Sequence, residues 1–392
     1  MKFSSIFSQL LQLFPRMEFE QAVKKHQAER SAKGFASWGQ FVAMLFCQLG
    51  RAHSLREICG GLASCEGKLK HLGVPEAPKK STLAYANEHR PWELYQTVFE
   101  QVLGKCHSVV AESKCKKKFR FKNKLVSLDS STIDLCMSLF DWAKFRRTKG
   151  AVKLHLLLDH DGYLPSYAVI TDGKKSDIKV ARKMKFAPGT VLVVDRAYND
   201  YDWFAELTDE GVFFVTRMKG DAVYDVVEKR GVPDKSHVLS DEVIFFVSMA
   251  VKGKEYFFRR IEVWDEDQQR TLVFLTNHLK FGATTIAAVY KDRWKVELFF
   301  KAIKQNLKIK TFLGTSANAV HTQIWTALIA MLVLKYLQLK STFAWSLSNL
   351  VALLRLQLFV YRDLYTWLNT PFEEPPVLEG IHDAQLGLNL AG

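Results

Sequence analysis

The chain has 392 residues, enough for two or three domains with a sizeable core. Hydrophobic residues at 48% and charged residues at 24% exclude a disordered or fibrous chain and describe an ordinary soluble globular protein. Lys and Arg number 55 against 41 Asp and Glu, a net charge of +14, which favours a polyanionic partner: nucleic acid first, an acidic membrane surface second.

Residues 1 to about 75 read as a helical N-terminal domain. Phe3 to Phe14 is an amphipathic helix with no cleavage site after it, so it is not a signal peptide. Trp38, Phe41, Val42, Leu45, Phe46 and Leu49 form a helical apolar face that Gly50 stops. Ser54-Leu-Arg-Glu57 reads as a capping box opening the next helix. With Lys24, Lys25, Arg30, Lys33, Arg51 and Arg56 nearby, this pair is either a helix-turn-helix DNA reader or part of a plain bundle. Residues 76–123 hold a helix over Ser81 to Leu103 and then the basic run Lys105 to Lys124, a solvated linker or a phosphate-tracking segment. The six cysteines, 47, 59, 65, 106, 115 and 136, show no metal-binding spacing and fit free thiols in a reducing cytoplasm.

From Lys124 the periodicity changes. Leu125 to Asp129 is a short apolar strand ending in an acid, and a basic loop (Lys144, Arg146, Arg147, Lys149, Lys153) leads to strands over Val152 to Leu158 and Tyr163 to Ile170. Between them Asp159-His160-Asp161-Gly162 is a turn. Ser176 to Met184 is a short helix. Val191 to Val194 is a β-branched run of the kind buried on both faces, ending in Asp195. A helix near Tyr201 to Leu207 and a strand Val212 to Arg217 complete a first core part, 124–217. Residues 218–276 are a β-rich insertion with strands over Ala222 to Val227, Val243 to Val247, Tyr256 to Trp264 and Thr271 to Leu275. The second core part, 277–345, opens with a helix from about Thr284 to Leu307 and continues with an apolar helix, Ala319 to Leu339. Its most apolar run, Ile324 to Leu334, is too short to span a bilayer, which needs about 20 residues. A helix over Ser346 to Leu358 and a proline-bearing tail close the chain as 346–392.

On the helix from Thr284, Tyr290, Arg293, Glu297, Lys301 and Lys304 share one stripe at 100° per residue, bordering the apolar arc Val296, Phe299, Phe300 and Ile303. Glu297 among these cations is either part of an ion-pair network or a metal-binding acid flanked by groups that hold a polyanion. Asp129 and Asp195 each follow an apolar strand, where an acid either caps the next helix or needs a cation. Hard carboxylate oxygens suit Mg2+ or Mn2+. Two such ions about 3.5–4 Å apart can activate a nucleophile and stabilise the leaving oxygen of a phosphodiester displacement. Asp134 is a spare carboxylate in a helix or loop. His155, His160 and His278 are isolated residues with structural or solvated roles, and Asp159, Asp161 and Asp172 are turn formers. Strand, turn, strand, helix, strand with acid, then helix with acid is the order of an α/β RNase H-like fold.

Leu128-Asp129-Ser130-Ser131, Val193-Val194-Asp195-Arg196-Ala197-Tyr198 and Tyr290-x2-Arg293-x3-Glu297-x6-Lys304 together resemble the DDE transposases of bacterial insertion sequences, of the IS-four group with its Tyr-Arg-Glu-Lys signature. The resemblance covers most of the chain, up to the helix after Gly314. It implies an RNase H-like catalytic core interrupted by the β-rich insertion, with Asp129, Asp195 and Glu297 as catalytic triad and ligands of Mg2+ or Mn2+. It also implies that Tyr290, Arg293 and Lys304 contact DNA phosphates. Arg196 joins them from the second motif, and Lys301 shares the stripe alone. Related enzymes stack an aromatic from the insertion on a flipped base. Trp264 is the one candidate in the insertion, but its context matches no fixed motif and a buried core role is the favoured reading. The implied partners are duplex DNA, as terminal inverted repeats and target, and a second copy of the chain; no membrane is involved. The protein would be cytoplasmic, bound to the nucleoid when on DNA. The rivals are a nuclease of the same fold that only hydrolyses, and a catalytically silent DNA-binding relative.

Overall fold

The computed structural model describes residues 4–30, 32, 34–65, 67–112, 118–136, 138–140, 142–146, 149–234, 236–247 and 255–373. Cys115, Arg147, part of the basic run and most of the tail lie outside them. The helical N-terminal part comprises α1 (Ile6–Leu11), α2 (Arg16–Lys25), α3 (Ser37–Gly50), α4 (Leu55–Ala63), α5 (Lys80–His89) and α6 (Glu93–Glu112). The capping box is present in its essentials: the Glu57 amide donates to Ser54 Oγ at 3.1 Å, and the Glu57 carboxylate accepts from the His53 amide at 2.9 Å. The helix expected over Ser81 to Leu103 is two helices. Arg90 precedes Pro91 and adopts an extended backbone, as the proline ring demands of its neighbour. Gly50 is the last helical residue of α3, and the left-handed turn after it belongs to Arg51, at φ 56°.

Among the described residues the sheet has ten strands: β1 (Leu125–Leu135), β2 (Lys144–Arg146), β3 (Lys149–Asp159), β4 (Leu164–Asp172), β5 (Val191–Val194), β6 (Phe213–Arg217), β7 (Tyr224–Lys229), β8 (Val238–Phe246), β9 (Phe257–Asp265) and β10 (Arg270–Thr276). Their order is β2-β3-β1-β5-β6-β10-β9-β8-β7, with β4 also on β3. The pairs β1–β5 and β5–β6 are parallel and the other pairs are antiparallel. The β-rich stretch is therefore joined edge-on to the core sheet through β10 and β6. Two strand readings need correction. β1 runs on past Asp129, because Ser130, Ser131 and Thr132 pair with His155, Leu154 and Lys153, and Asp134 pairs with Ala151. Asp134 is thus a strand residue. The basic stretch before Val152 contains β2 and the start of β3.

Helices α7 (Asp177–Ala181), α8 (Tyr201–Asp209), α9 (Ala283–Asp292), α10 (Trp294–Asn306), α11 (Ala317–Lys340), α12 (Leu347–Gln357) and α13 (Leu364–Asn369) complete the fold. One core cluster lies between the sheet and α8, through Val126, Leu128, Val194, Phe204 and Phe214. A second lies on the opposite face, where Leu125, Val191 and Val193 meet Ile286, Val289 and Tyr290 of α9. This follows from the strand period of two, which sends alternate residues to opposite faces. The largest cluster joins the N-terminal helices, α10, α11 and α12 to the β1–β3–β4 end of the sheet. α11 is long and apolar enough to cross a membrane by length and composition, but most of it is buried inside the protein. α3 is likewise enclosed, so of the α3–α4 pair α4 keeps the open face, with Arg56 exposed.

Candidate active site

In the parallel pair β1–β5, Leu128 stands opposite Val194. Asp129, the next residue of β1, and Asp195, which directly follows β5, are thereby neighbours. Each carboxylate accepts from the amide of the residue that follows it, Asp129 from Ser130 at 2.8 Å and Asp195 from Arg196 at 2.7 Å. Asp195 thereby caps the short 3-10 turn Arg196–Tyr198, whereas Asp129 lies within β1, which runs on past it.

Glu297 comes in from α10, but the helix that carries it is not the continuous one expected. It breaks at Arg293, between α9 and α10. There the Arg293 amide bonds to the Tyr290 carbonyl at 3.1 Å and the Val296 amide to the Arg293 carbonyl at 3.0 Å, three-residue bonds that tighten the turn. Arg293 is itself buried and reaches both sides of the site. One guanidinium nitrogen lies 3.3 Å from Asp129 Oδ2 and the other 2.6 Å from Glu297 Oε1. Tyr290 lies beneath it, with the guanidinium carbon 5.5 Å from the ring centroid, and packs its other side on Phe274.

Burial pushes Asp129 up to about 6; the Ser130 amide and Arg293 pull it down, while Glu297 and Asp195 push it further up. Asp129 thus feels the charge of the other two acids. Among the described residues, however, no three His, Cys, Asp or Glu side chains stand close enough to enclose a metal ion as they are. The Arg293 guanidinium bonds to two of the three acids instead.

A cleft of about 490 Å³ opens beside Asp129 and Glu297, lined by Ser130, Ser131, Lys301, Lys304 and Lys310 among others. Lys304 donates to the Thr132 carbonyl at 2.9 Å, which fixes its head group at the strand. Lys301 is exposed on the cleft wall, and Arg196 is exposed beside Asp195. Trp264 lies on β9 and is 37% exposed, so it is not a core residue. The histidines are not isolated. His155 is buried against Thr171 and Asp177, and His278 is buried against Phe213 and Phe281.

Two residues escaped the reading of the sequence. Trp294, next to Arg293, is 56% exposed, the most open tryptophan ring among the described residues. Its place on the α10 surface beside the charged stripe was a usable signal. Asp292, on the other side of Arg293, is buried and bonded to His160, Lys118 and Tyr163. No local pattern predicts partners that far away in the chain.

Comparison with known proteins gives this arrangement a family. Residues 120–333 match the family described as a transposase DDE domain, and residues 2–75 match a domain of unknown function, DUF4372. A protein named as a transposase, y4zB, in Sinorhizobium fredii is 30% identical over 331 residues, 83% of this chain and 89% of that protein. A protein named as a transposase of insertion sequence element IS5377 in Geobacillus stearothermophilus is 29% identical over 66% of this chain and 67% of its own length. A piggyBac transposase synaptic complex with hairpin DNA aligns over 94% of this chain and 82% of that one, at 8% identity and a TM-score of 0.42, too low to establish a shared fold. The match of the transposase DDE domain across more than half of the chain, with a relative 30% identical over 89% of its length, places this protein in the DDE transposase family of insertion sequences.

Proposed function

We propose that this transposase works through Asp129, Asp195 and Glu297 as its acid triad, on an RNase H-like core of the IS-four group. The observation that carries the reading is that Asp129 of β1 and Glu297 of α10 meet through Arg293 at one basic cleft, with Asp195 following β5, the parallel neighbour of β1. Strand order supports the core assignment: antiparallel β4-β3-β1 continues into parallel β5 and β6. The tyrosine, arginine, glutamate and lysine spacing supports the group.

Enzymes of this family depend on divalent metal. Asp129, Asp195 and Glu297 would hold Mg2+ or Mn2+, as two ions, once Arg293 yields its two carboxylates. The fit rests on Asp129: a carboxylate raised by burial and by two neighbouring acids gains from a hard dication. When bound, the metal supplies an activated water or 3′-hydroxyl and a stabilised leaving oxygen. The protein's own part is to place the strand. Lys304, Lys301 and Arg196 stand where phosphates flanking the scissile bond would lie, and Arg293 has a phosphate to move to when it leaves the acids. Trp264 and the exposed Trp294 offer faces for an unstacked base.

The substrates are the element's terminal inverted repeats and target DNA. The ends are cleaved to free 3′-hydroxyls that join the target by transesterification. Residues 1–75 and the basic segment after α6 bind DNA, the stretch 218–276 serves as the insertion, and two protomers hold the paired ends in the bacterial cytoplasm. A strand-transfer assay with pre-cleaved ends decides between this reading and a pure nuclease. Joined products support it; hydrolysis without joining overturns it.

A further inference from the structure

Beneath the acids lies a second constellation that the reaction does not use. Ser127 Oγ is 2.7 Å from His160 Nε2, and His160 Nδ1 is 2.6 Å from Asp292 Oδ2. The order of atoms is that of a serine, histidine and aspartate triad. It is not a hydrolase site, because Ser127 is 0% exposed and all three side chains are closed off from solvent by the sheet and α9. The Asp292 carboxylate also accepts from Tyr163 Oη at 3.1 Å and from Lys118 Nζ, the latter arriving from the basic linker with half its side chain in solvent.

The placement of these residues gives the constellation its meaning. Ser127 is two residues before Asp129 on β1, so both side chains leave the same face of the strand. Asp292 is the residue before Arg293, at the break between α9 and α10. His160 sits in the β3–β4 turn, held by its amide bond to the Leu125 carbonyl at 3.0 Å. The strand and the helix break are therefore joined twice, once through Ser127, His160 and Asp292, and once more through Asp129 and Arg293. Burial opposes the charge on Asp292, but the bonds from His160 and Lys118 outweigh it and hold the carboxyl down at about 2, so the ionised acid is firmly kept.

We infer that Ser127, His160 and Asp292 form a buried clamp that fixes the break between α9 and α10 against β1 and so aims Arg293 and Glu297 at Asp129. These are positioning residues, and the inference rests on the acid-triad reading only for its effect on catalysis. A clamp of this kind explains why the break falls at Arg293 although the apolar period runs through it. The backbone at Arg293 stays helical, at φ −53° and ψ −32°, so what the clamp holds is a local tightening of the helix beside Asp292.

The test is amide hydrogen exchange by mass spectrometry on the full chain, with single-turnover cleavage of a duplex bearing the ends of its own element in Mn2+. In Asp292→Asn and His160→Phe, exchange across residues 290–297 should quicken at least tenfold while β5 and α11 stay as in the parent. Cleavage should slow at least tenfold with the DNA Kd within threefold. His160→Asn, which keeps a donor toward Asp292, should recover most of both losses. Parental exchange at 290–297, or cleavage within threefold of the parent, overturns the clamp. If Asp292→Asn unfolds globally, Ser127→Ala decides: quicker exchange confined to 290–297 supports the clamp, and unchanged exchange sinks it. An Asp129→Asn protein that still cleaves would defeat the acid-triad reading alone, leaving the exchange result to stand.

Discussion

Leu128 and Val194 face each other across the one parallel pairing that β1 makes, and the acid following each is set by that register. A slip of one residue would send one acid to the other face of the sheet. Asparagine at Asp129 or Asp195, or glutamine at Glu297, should therefore lower metal-dependent end cleavage by at least about a thousandfold. DNA affinity in a gel-shift assay should stay close to that of the parent. A variant at any of the three with parental cleavage would remove that residue from the site.

Arg293 bonds at once to Asp129 and Glu297, and lysine cannot span both. Arg293→Lys should slow cleavage by about a hundredfold or more, comparable to losing a placed charged donor. Arg293→Gln should instead tighten Mn2+ binding to the DNA-free protein, since it takes a cation away from two of the acids proposed to hold the metal. Calorimetry reads this directly; weaker binding would mean that Arg293 organises the acids more than it opposes the metal.

Lys304 and Lys301 line the same cleft, but only Lys304 is anchored, at the Thr132 carbonyl. Lys304→Ala should weaken DNA binding and lower the slope of log K against log salt by about one. Lys301→Ala should give a smaller change in both, because a free lysine gives up more conformational entropy on binding. Equal effects would refute the distinction.

His155 is buried, and burial lowers its pKa from 6.5 to about 4, with Asp177 resisting. A histidine depressed in the folded state takes up its proton later than the unfolded chain does. Stability is therefore complete above about pH 6.5 and falls by up to about 3 kcal/mol as the pH drops to 4. Urea unfolding of His155→Gln should show a flatter acid limb over that range. An unchanged limb would mean that the ring is protonated without cost.

Much of this site could be read from the residues, and the reasons for the exceptions are physical. Val191 to Val194 announced a strand buried on both faces, and the four-residue spacing ending at Lys304 announced the charged wall. The break at Arg293 could not be read, because Val289, Val296, Phe299 and Phe300 keep the helical period on both sides of it. Beside it stands Asp292, whose partners His160 and Lys118 lie 132 and 174 residues away. The extent of β1 was hidden for the opposite reason. Ser130, Ser131 and Thr132 look like a turn until β3 supplies them with backbone partners.

Gly162 takes φ +78° in the turn that carries His160 and Tyr163, and a Cβ there would meet Val110 Cγ2 at 2.7 Å. Gly162→Ala should cost about 1–2 kcal/mol from the backbone alone, and more from the contact. Thermal unfolding measures it, and a variant as stable as the parent would show that the turn can relax.

Helix α1 is tied to the stretch that follows α12. Ile6 and Phe7 donate backbone bonds to Val360 and Leu358 at 3.0 and 2.8 Å, Gln9 reaches the Arg362 carbonyl, and α3 lies in one core with α11. A ribosome therefore makes the N-terminal helices long before it makes the surface that buries them. Until residues near 364 emerge, the helices first made have no finished packing. The core that α3 shares with α11 then closes late, after the sheet that lies between them in sequence has been made.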